Sequence, residues 1–138
     1  MKIENTVCTL KHGSIIGSVL TNIDTLFGWY IDPSDIRDTV VILKSEHKKA
    51  TEQGWVYLYP AYNVSELGII LELLNNTHYS WFCTTGTKDQ GKFYLFIVDD
   101  STEEIVFESF KETEAETRAD AVIWMIHQKI INTKELKL

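Results

Sequence analysis

The sequence predicts an α+β fold, in which an antiparallel sheet carries a C-terminal helix–three-strand meander–helix unit. Three observations support this prediction. A capping sequence starts a helix near Asn63, three alternating apolar segments follow it, and an amphipathic helix comes last. The 138 residues and their 44% hydrophobic content suit one domain with a core of its own. We therefore expect a single domain with a β-rich N-terminal portion (residues 1–60) and an αβββα unit (residues 61–131).

The N-terminal portion is predicted to consist of short strands. The strand-like segments are TVCTL, SIIGSVL, FGWYIDPSD, TVVILK and GWVYLYP, at residues 6–10, 14–20, 27–35, 39–44 and 54–60. The third of these segments runs into a turn at its end. The polar segment SEHKKATEQ is either a loop or a short helix that is capped by Ser45 and stopped at Gly54.

The C-terminal unit begins with a helix that Asn63 caps, and Glu66 completes the capping box three residues later. Polar connections then separate three strands at residues 79–85, 92–99 and 104–110, which predicts an antiparallel meander. The middle strand carries apolar side chains on both faces, so we expect both faces to be covered.

The last helix is predicted from about Thr117 to about Ile131. Its apolar side chains recur at helical spacing and form a core-facing stripe. The stripe consists of Ala119, Val122, Ile123, Ile126 and Ile130.

The charge of the chain is acidic and unevenly distributed. The net charge is −7, and the stretch from Asp99 to Asp120 holds nine acids and two bases. This balance argues against direct binding of nucleic acid, which requires a basic face. We expect a solvated acidic surface, a docking patch for a basic partner or a mimic of nucleic-acid phosphate. The patch would comprise Asp99, Asp100, Glu103, Glu104, Glu112, Glu114 and Glu116.

The arginines and aromatic residues suggest an alternative, ligand-binding site. Only two of the thirteen bases, Arg37 and Arg118, are arginines, the side chain best shaped to bind phosphate. Aromatic pairs on strands pack in cores more often than they bind ligands, but they can also stack on a base. The pairs in this chain are Trp29 with Tyr30, and Trp81 with Phe82.

The acids and the histidine of the last helix raise the possibility of a metal or acid–base site. On an ideal helix Glu116, Asp120 and His127 lie within about 40° of one another. His127 is nevertheless too far along the helix to share a metal with Asp120, and acids in a first helical turn interact favourably with the helix dipole. We therefore predict no metal site, no cofactor and no catalytic residue. Cys8 and Cys83 lack metal spacing and are expected to be buried, reduced thiols.

The order αβββα, together with the terminal sequence ETRADAVIWMIHQKI, resembles small phage and prophage proteins of the phage ABA sandwich type. In those proteins an acidic stretch leads through an A-x-T-like sequence into a helix containing alanine. Here these features correspond to residues 115–117 and 118–121, and the resemblance covers residues 59–131. It implies a phage accessory context and carries no catalytic motif with it.

Taken together, the sequence leads to the hypothesis of a non-enzymatic accessory protein that inhibits a bacterial defence system. Its acidic surface would bind a basic protein effector in the cytoplasm of the bacterial host. The alternative is a sponge for a signalling nucleotide, with Arg37, Arg118 and a stacking aromatic residue at a subunit interface. The many tyrosines and tryptophans also suggest homo-oligomerisation through an N-terminal sheet edge. No apolar run approaches the length of about 18 residues that a membrane span needs.

Overall fold

The computed structural model describes residues 3–21, 23–86 and 91–131. The α-helices are α1 (Leu10–Val19), α2 (His47–Glu52), α3 (Val64–Leu71) and α4 (Glu114–His127). The strands are β1 (Phe27–Asp32), β2 (Asp35–Leu43), β3 (Val56–Ala61), β4 (Tyr79–Thr85), β5 (Phe93–Asp99) and β6 (Glu104–Lys111). They form two antiparallel three-stranded sheets, a first sheet of order β2-β1-β3 and a second of order β4-β5-β6. The α+β class predicted from the sequence is confirmed.

Helix α1 corrects the prediction of a strand at residues 14–20, and in place of the strand predicted at residues 6–10 there is an isolated bridge between Val7 and Asn63. The backbone N–H of His12 donates to Thr9 Oγ1 at 3.2 Å, and the backbone N–H of Thr9 donates to His12 Nδ1 at 3.3 Å. This reciprocal capping box satisfies two backbone donors that a helix start would otherwise leave unpaired. Burial of Ile16 then stabilises the helix more than its β-branched side chain disfavours it.

Two glycines allow α1 to lie directly against β3. A Cβ atom added at Gly13 would overlap the carbonyl oxygen of Pro60, and one added at Gly17 would lie 2.9 Å from Pro60 Cδ and Cγ. Gly13 and Gly17 weaken the helical pattern in the sequence, but in the structure they set the distance between α1 and the first sheet.

The first sheet contains the strands predicted at residues 39–44 and 54–60, which lie largely within β2 and β3. The central strand β1 matches the aromatic segment that ends in a turn. Between β2 and β3 the chain forms α2, so the helical alternative was right for this segment. Glu46, rather than Ser45, occupies the N-cap and makes no side-chain cap hydrogen bond. Gly54 follows α2 with φ at 92°, a backbone conformation that favours glycine.

The C-terminal unit follows the predicted order of helix, three antiparallel strands and helix. The capping box of α3 is confirmed, since the Glu66 backbone N–H donates to Asn63 Oδ1 and the Asn63 N–H donates to Glu66 Oε1, both at 2.8 Å. Helix α4 begins at Glu114, earlier than predicted, because Thr113 caps it by accepting a hydrogen bond from the Glu116 backbone N–H at 3.2 Å.

One core cluster joins the two portions of the chain. It includes Ile16 and Leu20 from the N-terminal portion, together with side chains from α3, β5 and α4. The fully buried members from those three elements include Leu67, Ile70, Leu71, Leu95, Ile97, Ala119, Val122 and Met125. Helix α4 therefore covers one face of the second sheet, and we call this the inner face.

Candidate functional site

The opposite face of the second sheet, here called the outer face, is built from alternate residues of its three strands. Leu95, Ile97, Trp81 and Phe107 point into the core, so their neighbours along each strand point outward. The outer face consists of Ser80, Phe82, Thr84, Tyr94, Phe96, Val98, Ile105, Glu108 and Phe110. Between Phe107 and Ile105 the strand bulges, and Val106 is the extra residue.

Four aromatic rings stack in a row across the outer face. Phe82 of β4 stacks on Phe96 of β5 at 5.1 Å between ring centroids. Phe96 stacks on Tyr94 at 5.1 Å, and Tyr94 stacks on Phe110 of β6 at 4.2 Å with 10° between the ring planes. Each stacked pair contributes about 0.5–1.5 kcal/mol beyond the burial of its surface, which stabilises this partly exposed row.

The outer face remains accessible, which corrects the expectation that the middle strand is covered on both sides. Phe82 keeps 50% of its surface exposed and Ile105 keeps 51%, while Leu95 and Ile97 on the inner face are fully buried. Monomeric proteins rarely expose contiguous apolar patches larger than about a few hundred Å², and the larger patches often bind a partner. The sequence pattern showed two apolar faces, but it did not reveal that stacking would replace a second covering layer.

Glu108 is the charged member of the outer face. The Tyr94 hydroxyl donates to Glu108 Oε1 at 2.7 Å. Burial of the phenol and this hydrogen bond raise the pKa of Tyr94 to about 12, so Tyr94 stays protonated and holds the carboxylate in place. Glu108 lay in the acidic stretch of the sequence but was not among the predicted patch residues.

The first group of predicted acids lies in the hairpin between β5 and β6. Asp100, Glu103 and Glu104 are exposed, and Glu103 has a φ of 60° in the turn. The Asp99 carboxylate instead accepts hydrogen bonds from Ser101, at 2.6 Å from the hydroxyl and 2.9 Å from the backbone N–H. The hydroxyl bond contributes most to lowering the pKa of Asp99. Asp99 therefore shapes the turn, Asp100 accepts a hydrogen bond from the Ser80 hydroxyl at 2.9 Å, and Glu103 and Glu104 face solvent.

The second group of acids lies at the opposite end of β6. Glu104 opens this strand of 8 residues, and Glu112 follows it. At a rise of ~3.3 Å per residue the two groups are separated by more than 20 Å along the sheet. Glu114 binds Arg118 at 2.8 Å, and Glu116 accepts a hydrogen bond from Thr113 at 3.0 Å. The predicted patch is thus two clusters, and the second is largely engaged in capping and pairing within α4.

Arg118 connects α4 to α3. Its Nη1 donates to the carbonyl oxygen of Val64 at 2.9 Å, its Nη2 donates to Glu114, and its guanidinium lies 5.1 Å from the centre of the Trp81 ring. A Cβ atom at Gly68 would overlap Nη1. Two guanidinium nitrogens of Arg118, the side chain proposed to bind phosphate, therefore already donate to acceptors within the protein.

The other residues of the proposed ligand site lie apart from Arg118. Trp29 is packed in a second, smaller cluster, and its Nε1 donates to the Cys8 carbonyl oxygen at 3.2 Å. Tyr30 is fully buried, and its hydroxyl lies 2.7 Å from His47 Nδ1. Arg37 is exposed on β2 of the first sheet, and Phe82 faces away from its neighbour Trp81. The structure does not bring these residues into one pocket.

Asp120 binds a residue that the sequence did not connect with it. Its Oδ1 accepts from His12 Nε2 at 2.7 Å, and its Oδ2 accepts from the Ser109 hydroxyl at 2.7 Å. Because His12 Nδ1 already accepts from the Thr9 N–H, the proton between His12 and Asp120 lies on Nε2. Burial raises the pKa of Asp120, but the hydrogen bonds from His12 and Ser109 outweigh burial and lower it.

This network ties α1, β6 and α4 together. The arrangement of Thr9, His12 and Asp120 is similar to that of a nucleophile, a base and an orienting acid, because Thr9 Oγ1 lies 2.8 Å from His12 Nδ1. However, the same Oγ1 caps α1, so we assign the network a structural role.

His127 is exposed at the end of α4. Among residues 3–21, 23–86 and 91–131, no three His, Cys, Asp or Glu side chains are arranged to hold a metal ion.

The two cysteines are free, as expected. Cys8 is buried, which raises the pKa of its thiol to about 12, and Cys83 is half-buried. In the described ranges, no helix has both the length and the apolar composition needed to cross a bilayer.

Comparison of the chain with protein families, curated proteins and solved structures finds no match.

Proposed function

We propose that this chain is a non-enzymatic binding protein that docks a basic protein through the outer face and the neighbouring hairpin acids. One observation carries the proposal: a row of stacked, partly exposed aromatic rings lies beside the exposed Glu108, and the Asp100 carboxylate reaches the same face by accepting from the Ser80 hydroxyl at 2.9 Å. Apolar area of this kind contributes about 25 cal/mol per Å² when a partner removes it from water. The carboxylates would favour a partner with Lys or Arg around an apolar centre.

The two parts of this surface contribute differently to binding. Aromatic anchors near the centre of an interface contribute most of the affinity. Exposed acids at its edge mainly speed association and select partners, and added salt weakens their effect. The association rate of the partner should therefore fall as salt is added. The lifetime of the complex should depend on Phe82 and Phe96.

The resemblance to phage accessory proteins suggests which basic protein this is. We propose an effector of a bacterial defence system, inhibited in the cytoplasm of the host cell by occlusion of its basic surface. The nucleotide-sponge alternative gains no support from the geometry, because Arg118 is engaged with Val64 and Glu114, and Arg37 lies on the other sheet.

A matched pair of substitutions tests this proposal. Phe82 on the outer face and Val56 on the first sheet are similarly exposed, at 50% and 55%. Immobilised wild-type chain and the variants Phe82→Ser and Val56→Ser are incubated with bacterial lysate, and bound proteins are quantified by mass spectrometry. We expect a basic protein that wild type and Val56→Ser retain, and that Phe82→Ser retains at least tenfold less, because a central aromatic anchor contributes about 2 kcal/mol or more.

Thermal unfolding of both variants serves as the control for folding. Equal retention by Phe82→Ser and wild type, or retention of acidic proteins only, would contradict the proposal.

A further inference from the structure

Strand β6 offers a second mode of contact beside the outer face, because it lies at the edge of its sheet. It pairs with β5 on one side. On its other side no strand pairs with it among the described residues. An edge strand of this kind presents a row of backbone N–H and C=O groups that an added strand can pair with.

A groove runs alongside this free edge, between β6 and α4. Its volume is about 430 Å³. Phe107, Ile123 and Trp124 supply apolar walls, and Ser109 and Lys111 lie at its polar end beside Asp120. A strand added to β6 would have alternate side chains directed into this groove, and the others would extend the outer face.

Charge distinguishes between the possible occupants of the edge. If β6 of a second copy paired antiparallel with this β6 over its full length, Lys111 of each copy would lie opposite Glu104 of the other. Val106, the bulge residue, is left out of this register. The same register places Glu108 directly opposite its own copy, and like charges opposite one another destabilise a strand pair. A charge in the middle of an edge strand is also a common protection against self-pairing.

Glu108 instead favours a cation at the opposite position. Its Oε1 accepts from Tyr94, and its Oε2 has no hydrogen-bond partner among the described residues. Ile105 and Phe110 flank it on the outer face and favour apolar neighbours. The complementary strand carries Lys or Arg at its centre, an apolar residue two positions away on each side, and an apolar residue facing Trp124.

We propose that the basic partner adds an extended segment of this pattern to the edge of β6, with its Lys or Arg opposite Glu108 and its apolar side chain in the groove. This inference rests on the proposed function and names its docking mode. Backbone pairing would add to the affinity that the aromatic anchors contribute, while Glu108 and the groove would select the sequence.

A synthetic peptide tests the docking mode without the natural partner. The probe is fluorescein-labelled Ser-Val-Thr-Lys-Leu-Val-Ser, and its binding to the full chain is measured by fluorescence anisotropy. Two altered probes carry Glu in place of Lys, or N-methyl groups on the backbone nitrogens of Thr, Lys and Leu, which include a donor facing β6 in either alternate pairing. We expect the Glu probe to bind wild type roughly five- to tenfold more weakly, because attraction becomes repulsion.

The Glu108→Lys variant should reverse this preference and bind the Glu probe better than the Lys probe. Glu46→Lys, an exposed acid beside α2, is the matched control and should leave the preference unchanged. The N-methylated probe should not bind measurably, since N-methylation removes the donors that pair with β6.

Three results would overturn the docking mode: no binding of the Lys probe, equal binding of the Lys and Glu probes, or undiminished binding after N-methylation. A wild-type dimer that the Lys probe dissociates would assign the edge to a second copy and overturn it as well. Val56→Ser on the first sheet should bind the probe normally. The peptide probe reports on the edge of β6, whereas the Phe82 test reports on the outer face, so the two tests can fail separately.

Discussion

Gly13→Ala is expected to destabilise the fold by about 2 kcal/mol, although alanine is the better helix former by about 1 kcal/mol. The reason is the contact between α1 and β3, where a Cβ atom at Gly13 would overlap the Pro60 carbonyl oxygen. This oxygen belongs to the backbone of a paired strand and cannot rotate away. Thermal unfolding should show a melting temperature lower by roughly 6–10 °C.

Gly17→Ala provides a graded comparison on the same helix. Its Cβ atom would meet Pro60 Cδ and Cγ at 2.9 Å, so a shift of a few tenths of an ångström would relieve the contact. We expect a loss of stability smaller than that of Gly13→Ala, because the gain in helix propensity offsets part of the strain. A Gly13→Ala variant more stable than wild type would contradict the close approach of α1 to β3.

Asp120→Ala is expected to cost about 3 kcal/mol of unfolding free energy, because it leaves two donors without an acceptor in a partly buried site. These donors are His12 Nε2 and the hydroxyl of Ser109, and Ser109 is only 6% exposed. Asp120→Asn should cost only about 1 kcal/mol, since its amide can accept from His12 and donate to the Ser109 oxygen. Chemical denaturation of both variants measures the difference.

The stability difference between wild type and Asp120→Asn should depend on pH, because the ionised Asp120 carboxylate is what stabilises the wild type. The pKa of Asp120 is lowered in the folded chain from its ordinary value of 3.8. Its stabilisation is therefore fully present above pH 3.8 and is lost as the pH falls through the lowered value. The gap in stability between wild type and Asp120→Asn should be constant above about pH 5 and should narrow as the pH falls below 3.8. A gap that widens over this range would contradict the network.

Local signals in the sequence predicted the C-terminal unit well. The Asn63–Glu66 capping box and the alternation of residues 93–98 depend on neighbours a few residues apart, and both are seen in the structure. Helix α1 was missed because its capping box uses His12 in place of the usual Glu or Gln. The β-branched residues at 14–20 also predicted a strand, whereas in the structure Gly13 and Gly17 allow a helix to pack closely against β3.

The candidate site could be predicted only in part, because its geometry depends on contacts between distant segments. The acidic stretch was visible, but the strand between Glu104 and Glu112 separates it into two clusters. His12 and Asp120 lie 108 residues apart, and no spacing rule connects them. The aromatic residues of the meander were assigned to a covered core, because alternation alone does not show whether a second layer exists.

Hydrogen–deuterium exchange of the chain with its captured basic partner tests the central claim most directly. We predict that binding slows exchange in residues 79–85, 93–99 and 104–111, and most strongly in β6, where the partner adds backbone pairing. Exchange in α2 and β2 of the first sheet should be unchanged. Protection confined to residues 27–61, or to residues 112–118 at the start of α4, would contradict docking on the outer face.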